Sequence, residues 1–254
     1  MTPASSRPAG PGARSLLLLS NSATHDRPYL AHALQAIAAH LSGRKRLLFV
    51  PYALADHDGY TATVAEAMRP IGVRVEGVHR HPDPESAVSS AEAVFVGGGN
   101  TFRLLRSLRR ARLLGPLGDR VRAGLTYLGS SAGTNLACPT IRTTNDMPIV
   151  DPDGFDALGL VPFQINPHYI DADPGSTHQG ETRAQRLTEF CEENDVPVLG
   201  VREGAWLHVE GEAAALRGAS GGVLFRRGHQ PVDIVAGTDV SWLLATVPRF
   251  TTRD

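Results

Sequence analysis

Cysteine is nearly missing from this 254-residue sequence: two thiols, Cys138 and Cys191, allow one pair at most. A disulfide scaffold is thereby excluded, and a reducing cytosol is the expected home. Lysine is rarer still, with Lys45 alone among the basic residues that are not Arg. No sign of charge dominates, since 25 Lys+Arg meet 26 Asp+Glu for a net charge of −1. No global field therefore recruits nucleic acid or an anionic membrane. Long hydrophobic runs are absent too. Leu16 to Leu19 is a purely aliphatic stretch near the start, too short for a secretory core and far too short to span a bilayer.

What is present is a globular mixture, 42% hydrophobic with 26 Gly and 18 Pro, at a length that suits one domain. Residues 1–14 are rich in Pro, Gly, Ala and Ser and read as a flexible tail or as sequence upstream of a later start; residues 15–254 read as a single catalytic domain. Strands are expected at Ser15–Leu19, Arg46–Val50, Val73–Val78, Ala93–Val96 and Leu125–Gly129. Helices are expected from Pro28 to about His40 and over Tyr60–Arg69, Asn100–Arg112 and Leu117–Ala123. This alternation predicts an α/β fold with a mostly parallel sheet covered on both faces. Arg103, Arg106, Arg109, Arg110 and Arg112 around a leucine stripe make an amphipathic helix with a solvated face, not a nucleic-acid footprint. Residues 139–180 show no sustained period. A helix near Glu181–Glu192 and a strand at Val196–Val201 follow. Short strands then form what reads as a β-hairpin extension at the sheet edge.

The chemistry concentrates where strands end. Gly129-Ser130-Ser131-Ala132-Gly133 is a G-x-S-x-G sequence between a strand and a helix, an arrangement that lifts the Ser131 hydroxyl above the sheet on a sharp elbow. The Ala132 N–H then opens the helix as an oxyanion donor. Gly97-Gly98-Gly99-Asn100 is a second glycine turn after a strand. It lacks the third glycine of a dinucleotide fingerprint and the G-K-[ST] ending of a phosphate loop. It remains a row of backbone N–H groups suited to a small anion. A serine needs a base, and His168 lies in Asn166-Pro167-His168-Tyr169 at an expected strand end. Asp146 and Glu203 are both placed to orient its imidazole, and spacing does not choose between them.

The run from Gly129 to Tyr169, together with LLLLSNS at 16–22, VGGGNTFRLL at 96–105 and GETR at 180–183, closely resembles the peptidase E family, the alpha-aspartyl dipeptidases among serine peptidases. The likeness extends from about residue 15 to about residue 235. It implies a flavodoxin-like three-layer core related to class I glutamine amidotransferases, with Ser in place of Cys. It also implies hydrolysis of dipeptides whose N-terminal residue is aspartate, so that the expected partners are small peptides of that kind. By position, Ser131 matches the nucleophile and His168 the base. Asp146 and Glu203 both match positions given the third catalytic role, Gly99 and Ala132 the oxyanion amides, and Arg183 the group that holds the substrate aspartyl carboxylate. A guanidinium grips a carboxylate bidentately, which suits that task. The sequence departs from the family at Ser130, where Trp is frequent, and in the slightly rearranged segment Asp171–Gln179.

Three other readings compete. An esterase of the α/β-hydrolase type would use Ser131, Asp195 and His229; a same-fold enzyme would act on larger aspartyl or cyanophycin-like substrates; and the site could be vestigial. No cofactor or metal is expected: Asp151, Asp153 and Asp156 lack the calcium-loop spacing, and His79, His81 and Asp83 lack a fourth ligand. Cys138 is expected as a buried small hydrophobe. Monomer and homodimer both stay open.

Overall fold

The computed structural model of the chain describes residues 14–251, apart from 26, 174, 176, 178 and 179. The expected tail thus lies almost wholly outside the described residues. In chain order the elements are β1 (Ser15–Leu19), α1 (Leu34–Leu41), β2 (Arg46–Val50), α2 (His57–Met68), β3 (Arg74–Gly77), α3 (Pro84–Ser90), β4 (Ala93–Val96), α4 (Thr101–Arg110), α5 (Leu114–Arg122), β5 (Thr126–Ser130) and α6 (Ala132–Leu136). They continue with β6 (Gln164–Tyr169), α7 (Arg183–Glu193), β7 (Asn194–Asp195), β8 (Val198–Arg202), β9 (Ala205–Glu210), β10 (Ala213–Gly218), β11 (Gly222–Phe225), β12 (Val232–Ile234) and β13 (Arg249–Phe250).

The main sheet runs β10-β9-β1-β5-β4-β2-β3. Strands β1 to β5 are parallel, and β9 and β10 join β1 as an antiparallel hairpin. The inner parallel strands β1, β2, β4 and β5 are buried on both faces because helices cover both, whereas the edge strand β3 carries Arg74 and Glu76. Along β1, Leu16 and Leu18 enter one core with α3, α4, α5 and α6, while Leu17 and Leu19 enter the other with α1 and α2. The period of two along a strand is what divides one leucine run between two cores. The result is the three-layer α/β architecture that the alternation of elements predicts.

Three local outcomes differ from the sequence reading. The helix expected from Pro28 begins in earnest at Leu34, because Leu30 takes a left-handed conformation (φ 61°), with its N–H on the Ser22 carbonyl. Pro84–Ser90, for which the sequence reading names no element, is a helix started by Asp83, whose carboxylate accepts the Ser86 N–H with Pro84 in the first turn. Most consequential, the C-terminal strands do not all extend the main sheet. β8, β11 and β12 join β6 in a second sheet of order β12-β11-β8-β6, in which β8 is the strand paired with β6. α7 packs on it through Leu187 and Cys191 against Tyr169, Val198, Val223 and Phe225. Among the described residues no helix is long and apolar enough to cross a membrane.

Candidate active site

Parallel strands end together, so the loops after β1, β4 and β5 share one edge of the main sheet. Ser131 follows β5 directly, with φ 52° and ψ −108°, a left-handed φ that a serine adopts only under constraint. The constraint is visible: the Ser131 N–H donates to the Leu19 carbonyl at 3.1 Å, and α6 starts at the next residue. Glycine is required beside it. A Cβ on Gly133 would stand 2.1 Å from the Val96 carbonyl oxygen, and one on Gly129 would stand 2.7 Å from that of Gly133.

His168 reaches the elbow from the second sheet. Between Asn166 and Tyr169 the pairing of β6 with β8 slips: three steps on β6 match two on β8, a bulge with Pro167 and His168 inside it. Pro167 has no N–H to lose there, and His168 takes a φ of 53° that turns its ring toward β5. Its Nε2 lies 2.9 Å from Ser131 Oγ, and its Nδ1 lies 2.6 Å from Oε1 of Glu203, which occupies the turn between β8 and β9. A carboxylate on Nδ1 favours the tautomer whose Nε2 faces the serine as an acceptor.

Two residues that the sequence reading did not single out hold this arrangement. Ser20, just past β1, accepts the His168 N–H at 2.8 Å and donates to the Val201 carbonyl at 2.8 Å, tying the main sheet to β6 and β8. Asn21 accepts the Gly204 N–H at 2.9 Å and so fixes the turn that carries Glu203. The signal was a polar pair at the end of an aliphatic strand, in the segment LLLLSNS.

Asp146 goes elsewhere. Its Oδ2 accepts from the Thr101 N–H at 2.7 Å, the Thr101 hydroxyl at 2.5 Å and the Thr144 hydroxyl at 3.1 Å. It thus caps the start of α4 with negative charge and fastens the 139–163 segment above it. Asn145 and Asn166 pin the same segment to β6, through Asn145 Nδ2 on the Pro167 carbonyl (2.7 Å) and Asn166 Nδ2 on Asn145 Oδ1 (2.6 Å).

Ser131 and His168 open into a pocket of about 460 Å³ that is also lined by Gly98, Gly99, Tyr29, Tyr60, Asp146 and Arg183. Among the described residues, neither the Gly99 N–H nor the Ala132 N–H has a backbone acceptor. Arg183 is the first residue of α7, and among the described residues no carboxylate pairs with it. Partial burial, and then Arg186 nearby, press its pKa down. Tyr29 and Tyr60 share a hydrogen bond of 3.0 Å on the pocket wall, and burial pushes both phenols up, so both are neutral.

The remaining candidates disperse. His229 sits in the turn between β11 and β12, its N–H on the Arg226 carbonyl, while His168 faces Ser131. His79 meets Asp58, His81 faces Glu76 and Asp83 caps α3. The carbonyls of Pro152, Asp153 and Asp156 accept from the Arg109 guanidinium, so one arginine of the basic face of α4 is spent on that loop. Burial pushes the Cys138 thiol up to about 12, which makes it inert.

The sequence profile of peptidase family S51 matches residues 16–217. The chain is 59% identical over 238 residues to "Peptidase E" of Streptomyces coelicolor, covering 94% of this chain and 98% of that protein. It is 51% identical over 235 residues to a "Probable alpha-aspartyl dipeptidase" of Drosophila melanogaster, covering 91% and 98%. Among solved structures, a peptidase from an acI-B1 actinobacterium superposes with a TM-score of 0.68 at 15% identity, covering 91% of this chain and 98% of that one, a likeness of fold.

Proposed function

This chain belongs to peptidase family S51, and we propose that it is a serine dipeptidase that hydrolyses dipeptides beginning with aspartate. The observation that carries the reading is the chain of contacts from Ser131 Oγ through His168 to Glu203, at 2.9 Å and 2.6 Å, opening into a pocket with Arg183, with which no carboxylate of the described residues pairs, at its wall. The Drosophila melanogaster relative named "Probable alpha-aspartyl dipeptidase" supports the substrate class.

In this reading Ser131 Oγ attacks the peptide carbonyl while His168 Nε2 takes its proton. His168 then passes that proton to the leaving amine as the C–N bond breaks. Glu203 holds the Nδ1–H and balances the imidazolium that forms. The Gly99 and Ala132 N–H groups receive the oxyanion, the second of them strengthened by its place at the start of α6. Water then attacks the aspartyl ester, His168 again moves the proton, and aspartate leaves. Arg183 binds the side-chain carboxylate of the substrate's aspartate in a two-pronged contact that Asn or Ala cannot reproduce. Asp146 serves by fastening the loop over the pocket. The two free thiols are buried, which accords with a cytosolic enzyme.

The test is the release of free amino acid from Asp-Leu, with Ala-Leu, Asn-Leu and Leu-Asp in parallel, all in EDTA. Cleavage of Asp-Leu alone is expected. Equal cleavage of Ala-Leu would remove the arginine selector, and no cleavage of any would remove the substrate class.

A further inference from the structure

Far from the elbow, three side chains converge that the hydrolytic reaction does not use. His40 lies in the last turn of α1; His208 and Glu210 lie on β9, two residues apart and therefore on one face. One ligand atom from each lies within 4.8 Å of the others. The two imidazoles meet edge to face, with ring centres 5.6 Å apart. His40 is 6% exposed. Its Nε2 lies 3.0 Å from the Tyr127 carbonyl. A carbonyl can only accept, so Nε2 carries the hydrogen and Nδ1 keeps a lone pair. That Nδ1 is buried and has no hydrogen-bond partner among the described residues. A buried acceptor without a donor is costly, and a second imidazole and a carboxylate beside it are the company that a metal ion keeps.

We propose that His40, His208 and Glu210 form a binding site for a divalent transition-metal ion such as zinc, held through Nδ1 of His40, an imidazole nitrogen of His208 and a carboxylate oxygen of Glu210. Two imidazoles with one carboxylate suit such ions and not calcium or magnesium, which take oxygen donors. The Tyr127 carbonyl on Nε2 is the outer partner that fixes the tautomer and aim of a metal-bound histidine. Arg44 and Arg217 add positive charge at the site, and Glu210 offsets it on the ion's own shell. Tetrahedral zinc places its donors about 3.3 Å apart, so donors that all lie within 4.8 Å of one another need to draw in by at most about 1.5 Å. Glu210 is exposed and, among the described residues, its side chain is held only by the Ser15 hydroxyl at 3.3 Å, so it has the freedom to close.

The ion would act as a clamp, not in the chemistry. Tyr127 stands four residues before Ser131 on β5, about 13 Å of extended strand. The clamp joins the end of α1 to β9, the strand that begins two residues after Glu203.

The test is calorimetric titration of zinc chloride into the untagged chain, first stripped with EDTA, with thermal unfolding followed in parallel. The expected result is one equivalent of zinc and a rise in Tm of roughly 5 °C at a hundredfold excess over Kd. His208→Ala is expected to weaken binding at least tenfold and to abolish the rise. Glu210→Gln should weaken it less. His229→Ala, on a remote turn, should bind as the parent does. Dipeptide hydrolysis at 25 °C should be the same in all three variants. Absence of a stoichiometric site in the parent, or His208→Ala binding zinc as tightly as the parent, overturns the proposal.

Discussion

His168 and Glu203 lie thirty-five residues apart and on different strands' ends, yet His168 Nδ1 and Glu203 Oε1 are 2.6 Å apart. Asp146, the nearer of the two candidate acids in sequence, spends its Oδ2 on Thr101 and Thr144. Replacing the two acids should therefore give different kinetic signatures. Glu203→Gln keeps the shape but loses the charge that orients the imidazole, and kcat is expected to fall roughly 10²- to 10⁴-fold with KM nearly constant. Asp146→Asn should cost about 1–3 kcal/mol of stability by weakening charged hydrogen bonds at the start of α4, read as a lower urea midpoint, with a smaller loss of kcat. The reverse ranking of the two kcat losses would transfer the orienting role to Asp146.

Ser131→Ala should abolish turnover of Asp-Leu, by a factor of about 10⁴ or more, while leaving the fold intact. Circular dichroism and Tm check the fold; amino acid release checks the rate. Residual turnover near the parent level would assign the nucleophile elsewhere.

Arg183 lies at the pocket wall with no acidic partner among the described residues. Arg183→Ala is expected to lower kcat/KM for Asp-Leu by roughly 10²- to 10³-fold, chiefly through KM, and to change that for Asn-Leu little. Arg183→Lys keeps the charge but not the two-pronged contact, so it should recover only part of the loss. An equal fall for both substrates would make the arginine structural.

Gly133 has its α-carbon against the Val96 carbonyl, where an added Cβ would stand 2.1 Å from the oxygen. Gly133→Ala must push α6 away from β4, moving the elbow with it. A loss of several kcal/mol in stability and a large fall in kcat are expected together, on the scale of overpacked sites. Chemical denaturation and steady-state rates are the measurements, and a parent-like Tm would show that the contact yields.

Burial holds the thiols of Cys138 and Cys191 at about 12 and about 11. Neither is thiolate at pH 8, so the native chain should leave Ellman's reagent unreacted and release two equivalents in denaturant. Alkylation of the native chain with loss of activity would contradict the burial of both.

Some of this protein could be read along its sequence, because the signals are local. The four leucines of β1, the G-x-S-x-G elbow and the Gly97–Gly99 turn each follow from short-range sterics: strand alternation, a tight turn beside a helix start, backbone that must approach closely. The three-layer order followed from the alternation of strands and helices. What tertiary structure decided were the long-range pairings. The Asn166-Pro167-His168-Tyr169 segment was visible, but not that a bulge against β8 would turn His168 toward Ser131. Two carboxylates fitted the third position equally well by spacing, and only the path of the chain brings Glu203 to the imidazole and Asp146 to Thr101. Ser20 and Asn21 read as the tail of a strand until the second sheet supplied their partners at His168 and Gly204. The physical reason is general to such folds: local sterics act over a few residues, whereas a hydrogen bond between residues far apart in sequence exists only once the core has set the distance between two sheets.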